Sequence, residues 1–242
     1  MAYRSPAVLL IFVALLLLAA CGPSQASSTK LANITPLPTE PTLAPPLPGS
    51  YAALGASETY GIGVVPRTDS YPYLVQRALK ARHFVDVGIP GATLSSGYDG
   101  ELSRALTIRP SFVTVLFGTN DILAGYSRGT FLRDLRDLVL TLREAHVQVL
   151  VVGLPDLSYF PRVQRAHIPG VHALITSWNS GMRTVARQTG SHFLDLAVYS
   201  KILAGHPDYI TADGLHPGNK AHAYLAQLIL SQIRHDHLWR AA

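Results

Sequence analysis

Three short stretches of this chain carry residue types that could act together on an acyl group. They are Gly55-Ala56-Ser57-Glu58-Thr59, Gly118-Thr119-Asn120-Asp121 and Asp213-Gly214-Leu215-His216-Pro217. Between them they supply a hydroxyl, an amide donor, an imidazole and a carboxylate. Asp213 and His216 stand three residues apart on a loop, ahead of a helix expected to open near Pro217. That spacing lets the carboxylate reach Nδ1 and leaves Nε2 to take a proton from a serine. A hydroxyl so activated is a nucleophile. The Asn120 side-chain N–H can donate to an oxygen on which negative charge develops. Taken singly, each stretch has a plainer reading: Ser57 as a helix cap after a strand, Thr119-Asn120-Asp121 as a turn, and Asp-x-x-His as chance in a chain with ten histidines. His206, His222 and the His235-Asp236-His237 tail read as surface residues. No spaced set of ligands points to a metal, and no cofactor is expected.

These groups need a frame that brings them to one place. From Ser50 onward, apolar runs alternate with helix-like stretches. Strands are expected at Tyr51–Gly55, His83–Val87, Phe112–Phe117, Val147–Val152 and His192–Leu196. Several are apolar throughout, as in parallel strands covered on both faces. The segment Phe131–His146 places Leu132, Leu135, Val139 and Leu142 at helical spacing, and Val171–Gln188 and Asn219–Arg234 read similarly. Alternating strands and helices imply an α/β fold of three layers, with a roughly five-stranded parallel sheet between helices. Residues 50–242 are about 190 in number, enough for one sizeable core. In open sheets of this kind ligands bind beyond the carboxyl ends of the strands, which is where Ser57 and Asn120 fall. Gly153 to Gly170 reads as a long loop, with Leu157, Tyr159 and Phe160 able to line a pocket or simply to cover the sheet.

The amino-terminal part has a different texture. Met1-Ala2-Tyr3-Arg4 is a short basic start, followed by an unbroken apolar run of 14 residues from Ala7 to Ala20. That is short for a membrane span and suits the apolar region of a secretory signal. The ending Leu18-Ala19-Ala20-Cys21-Gly22 resembles the lipobox of bacterial lipoproteins. The resemblance implies a signal peptide at 1–20, lipidation of Cys21 and a location in the cell envelope, anchored to a bacterial membrane on its extracytoplasmic face. Cys21 is the only cysteine of the chain, which excludes disulfides within it. Residues 21–49 are rich in Pro, Ser and Thr and read as a disordered tether. The formal charge of +5 is mild, and Lys and Arg form no run of the kind that tracks phosphates, so nucleic acid is excluded as a partner.

Read jointly, the stretches resemble the blocks of the SGNH/GDSL-type serine hydrolases, in the family's order. Ser57 lies in Leu54-Gly55-Ala56-Ser57-Glu58-Thr59. A glycine block, Gly88-Ile89-Pro90-Gly91-Ala92-Thr93, puts Gly91 at the matching place. Leu116-Phe117-Gly118-Thr119-Asn120-Asp121 and Asp213-Gly214-Leu215-His216-Pro217 complete the set, and Leu154-Pro155-Asp156-Leu157 and Trp178-Asn179 also resemble members. The resemblance implies a flavodoxin-like SGNH hydrolase domain over residues 50–242. It further implies an ester hydrolase with Ser57, Asp213 and His216 as catalytic residues and an oxyanion hole of Ser57, Gly91 and Asn120. A small-molecule or lipid ester would be the substrate. A carbohydrate O-deacetylase of the same mechanism and a non-catalytic ligand-binding lipoprotein are the alternatives. Two departures stand out. Ala56 occupies the place of the family's usual Asp, and Asp86 and Pro90 replace the more usual Asn and Ser. The absence of Gly-x-Ser-x-Gly around Ser57 argues against an ordinary α/β-hydrolase.

Overall fold

The computed structural model describes residues 44–241. Cys21, the expected signal peptide and most of the expected tether lie outside the described residues. The end of the Pro-rich stretch is bonded to the domain: Leu47 N–H donates to Arg109 O and the Arg109 guanidinium donates to Pro45 O, each at 2.8 Å.

Five strands, β1 (Ser50–Gly55), β2 (His83–Asp86), β3 (Phe112–Leu116), β4 (Gln148–Val152) and β5 (His192–Leu194), form one parallel sheet in the order β2-β1-β3-β4-β5. The expected three-layer α/β architecture is therefore present. The strand side chains alternate in period two between two cores. Ala52, Leu54, Val113, Val115, Val149 and Val151 face one side, while Tyr51, Ala53, Phe112, Leu150 and Val152 face the other. The first side is covered by α3 (Leu94–Leu106), α5 (Arg128–Glu144) and α7 (Val171–Gln188), and the second by α2 (Tyr71–Leu79) and α8 (Asn219–His235). Short helices α1 (Ser57–Tyr60), α4 (Thr119–Leu123) and α6 (Pro161–Ala166) sit in the connections.

The chain leaves β1 first to β2 on one side and then to β3 on the other. The carboxyl end of β1 is thus the point where strand order reverses, the usual ligand crevice of such sheets. Ser57 is located there.

Two expectations need correction. His222 is not a surface residue: it lies on the buried face of α8 and is fully enclosed. Its Nδ1 accepts the Tyr71 N–H at 3.1 Å, its ring stacks on Tyr71, and burial pushes its pKa down to about 4. Nor is Gly153 to Gly170 one irregular loop, since it folds into a 3-10 turn at Leu157–Tyr159 followed by α6.

Candidate active site

The nucleophile turn is shaped by close packing at Gly55. Its φ is 154°, and a Cβ there would lie 2.5 Å from Leu116 O and 2.2 Å from Thr59 Oγ1, so only glycine fits. Ala56 follows with φ −95° and ψ −136°, and α1 begins at Ser57, one residue earlier than the sequence suggests. Ser57 is thus a residue of the first turn and not its cap. The amides of Gly61 and Ile62 both donate to Ser57 O at 2.9 Å, closing the turn around it. The Ser57 hydroxyl donates to Glu58 Oε2 at 3.2 Å, and among the described residues it makes no hydrogen bond to His216.

The glycine loop is pressed against this turn. A Cβ on Gly88 would lie 2.7 Å from Tyr60 N, and Ile89 N–H donates to Gly55 O at 3.0 Å. Asp86 Oδ1 accepts the Gly88 N–H at 3.0 Å while Oδ2 pairs with Arg67 at 2.7 Å. Burial raises the Asp86 pKa against the lowering effect of these two partners. Gly91 is exposed with φ 82°, and its N–H has no intramolecular acceptor among the described residues.

The asparagine block clamps that loop from the other side. Asn120, on α4, donates from Nδ2 to Ala92 O at 2.9 Å. Its neighbour Asp121 is buried, and its carboxylate accepts the Leu94 N–H at 3.0 Å. The two side chains therefore hold the chain on either side of Thr93, which caps α3 and leads directly back to Gly91.

The third stretch forms a tight acid–imidazole pair. Asp213 Oδ2 lies 2.6 Å from His216 Nδ1. Asp213 Oδ1 accepts from the Leu215 amide at 2.8 Å, the His216 amide at 2.9 Å and the Thr211 hydroxyl at 2.8 Å. Burial acts to raise the Asp213 pKa. These bonds, His216 foremost, outweigh it and hold the carboxyl well below the usual carboxylate range. The loop is fastened to the segment that leaves α1. Gly63 packs so closely on it that a Cβ would lie 2.8 Å from Pro217 O, and Asn219 exchanges bonds of 3.2 and 2.9 Å with the Val65 backbone.

An apolar cleft of about 100 Å³ lies beside this site, lined by Ala56 and Glu58, the chain neighbours of Ser57, and by residues that follow β3, β4 and β5; Ser57 and His216 themselves do not line it. Its walls include Ala56, Gly118, Leu154, Leu157 and Phe160, joined by Leu215 and Pro217 of the His216 loop. Of the three apolar groups read from the sequence between Gly153 and Gly170, Leu157 and Phe160 line it and Tyr159 does not. A GDSL-like lipase/acylhydrolase family model matches residues 53–224, which span all of these blocks.

The chain belongs to the GDSL-like lipase/acylhydrolase family. It is accordingly a hydrolase of ester bonds. Solved structures of similar fold include a lipase/acylhydrolase from Enterococcus faecalis, 22% identical with a TM-score of 0.63, covering 77% of this chain and 96% of that one. The psychrotrophic esterase EstA from Pseudoalteromonas sp. is 20% identical with a TM-score of 0.62, covering 77% and 97% respectively. A catalytic mutant of Axe2, an acetylxylan esterase from Geobacillus stearothermophilus, is 18% identical with a TM-score of 0.63, covering 79% and 96%. Sequence comparison with curated proteins gives no match.

Three residues at this GDSL-type site had no role assigned from the sequence, although Glu58 and Asp121 lie within the stretches quoted above. Glu58 lies beside the nucleophile turn and Asp121 fastens the glycine loop. Glu101, fully buried on α3, accepts the Gly55 N–H at 2.8 Å. Burial, helped by the nearby Asp86 charge, pushes its pKa up to about 8 against the pull of the Gly55 amide and Arg104. A Glu on an otherwise apolar helix face was the one signal available for Glu101.

Proposed function

We propose that this chain is an extracytoplasmic serine esterase, tethered to a membrane by a lipid on Cys21 and working through an acyl-enzyme on Ser57. The observation that carries the catalytic part is the 2.6 Å Asp213–His216 pair, on a loop fastened to the segment leaving the Ser57 turn. Ser57 Oγ attacks the ester carbonyl after its hydroxyl turns from Glu58 to His216 Nε2, which takes the proton. Asp213 holds the imidazole with Nδ1–H donating and stabilises the imidazolium. The amides of Ser57 and Gly91 and the Asn120 side chain receive the oxyanion. His216 returns the proton to the leaving alcohol, and water then hydrolyses the acyl-enzyme by the same relay.

The apolar walls of the cleft favour an ester with an apolar acyl chain over an acetylated sugar. The test uses the purified full-length chain with p-nitrophenyl butyrate and a fluorophosphonate. Hydrolysis and labelling of Ser57 are expected, and the absence of both sinks the reading.

Asn120 has two tasks in this scheme, oxyanion donor and tie to Ala92. Asn120→Ala is expected to lower kcat by about 10²–10³-fold with a smaller change in KM, because the donor acts on charge that develops only in the transition state. Steady-state kinetics on the same ester check this.

The tether rests on Cys21 and the apolar run before it. Acyl chains contribute about 0.8 kcal/mol per buried CH₂, so several chains on one Cys anchor durably. Cys21→Ala should move the protein from the membrane fraction to the soluble one and abolish incorporation of labelled palmitate. Unchanged fractionation counts against the anchor.

A further inference from the structure

The walls of the cleft beside Ser57 are mostly apolar, with the uncharged polar side chains of Thr119, Ser200, Tyr199, Tyr209 and Tyr224 among them. Glu58 is the one charged side chain among the described residues that line it. Its carboxylate is half-buried and accepts the Ser57 hydroxyl at 3.2 Å. Among the described residues no cation pairs with it. Arg67 is engaged with Asp86 at 2.7 Å, and Arg165 lies against Gly214; neither lines the cleft.

Attack on an ester requires its carbonyl carbon to come within about 3–3.5 Å of Ser57 Oγ. The scissile group must therefore sit next to the Glu58 carboxylate. With an apolar acyl chain in the cleft, the alcohol part of the ester lies on the other side of the scissile carbonyl, still within a few ångströms of the carboxylate that is hydrogen-bonded to Ser57. A charge on that part would interact with Glu58 across a few ångströms. The apolar walls on one side weaken solvent screening of that interaction.

We infer that Glu58 is a specificity-determining residue that selects esters with a cationic or uncharged alcohol part and rejects anionic ones. The inference rests on the esterase reading above. The plain alternative is that Glu58 is merely an acid in the first turn of a helix, favoured there by the helix dipole. Such a residue would not alter the ranking of substrates.

The experiment compares kcat/KM within matched pairs, using the full-length enzyme. Butyrylthiocholine is set against its uncharged isostere 3,3-dimethylbutyl thiobutyrate, and 4-butyryloxybenzoate against 4-butyryloxybenzamide. The wild-type enzyme should prefer the cation over its isostere, and the amide over the anion, by about 10–100-fold each. In Glu58→Gln both ratios should fall toward one, and in the wild type both should shrink as ionic strength rises from 0.01 to about 1 M. Glu58→Asp should keep the sign of both preferences. Because each ratio is taken within one variant, a change in overall rate or folded fraction cancels. Ratios near one in the wild type, or preserved in Glu58→Gln, overturn the inference. Failure of the wild type to hydrolyse even the uncharged esters overturns the esterase reading itself.

Discussion

Ser57→Ala is expected to lower kcat on p-nitrophenyl butyrate by about 10⁴-fold or more, and to abolish fluorophosphonate labelling. The loss should be chemical and not structural. Among the described residues the Ser57 hydroxyl makes one hydrogen bond, to the half-buried Glu58, so its removal strands no fully buried partner there. The turn is held by backbone bonds from Gly61 and Ile62 to Ser57 O, which the substitution leaves in place. Gly55, Gly88 and the Glu101 contact that shape the turn are likewise untouched. Urea denaturation should therefore give a midpoint close to the wild type, while activity disappears. A residual rate above background would come from the oxyanion donors, which do not depend on the hydroxyl. Wild-type activity in the variant would remove Ser57 from the mechanism.

The parts of this molecule that were readable in its sequence are those whose signal is local. β1, β3 and β4 are apolar runs buried on both faces, and α5, α7 and α8 carry apolar side chains at helical spacing, so composition and period reveal them. The boundaries of α7 coincide with the expected ones. By contrast α3 contains Ser95, Ser96, Gly97 and Gly100, residues of low helix propensity. It forms because Thr93 and Ser96 cap it and because Gly97 lets it approach Phe117, where a Cβ would lie 2.4 Å from the ring. That is tertiary packing overriding propensity, and no window of sequence displays it.

The site divides along the same line. Asp213 and His216 are three residues apart, and their pairing follows from spacing on one loop. Glu101 meets Gly55 across 46 residues, and Asp121 meets Leu94 across 27. Each is an ordinary acidic residue until the fold brings a backbone amide to it. Ala56 lies between the two cases. The sequence shows that the family's usual Asp is missing, while the structure shows what stands there instead: a buried methyl group on the wall of the cleft.

Asp213→Asn is expected to reduce kcat by about 10⁴-fold at neutral pH. The size of the effect follows from the way Asp213 is held. Oδ1 accepts three hydrogen bonds, from two amides and the Thr211 hydroxyl, and Oδ2 alone faces His216. In the variant, the side-chain carbonyl must keep the three-donor position, since an NH₂ group there would confront three donors. The amide nitrogen is thereby forced to face His216 Nδ1 as a donor. Nδ1 must then accept, and the ring proton moves to Nε2, where it blocks acceptance of the Ser57 proton. The loop itself should remain folded, because the three bonds that shape it persist. In the wild type the Asp213 pKa is depressed in the fold. Its contribution to stability is thus fully present above the unfolded value of about 3.9 and is lost only as pH falls through the lower folded value. Between pH 5 and 9 Asp213 stays ionised, so any change of rate across that window arises from another group. The check is a pH–kcat profile of both proteins beside their urea midpoints at pH 7. A variant that keeps its fold and retains kcat within about tenfold of the wild type would show that the carboxylate does not set the imidazole tautomer.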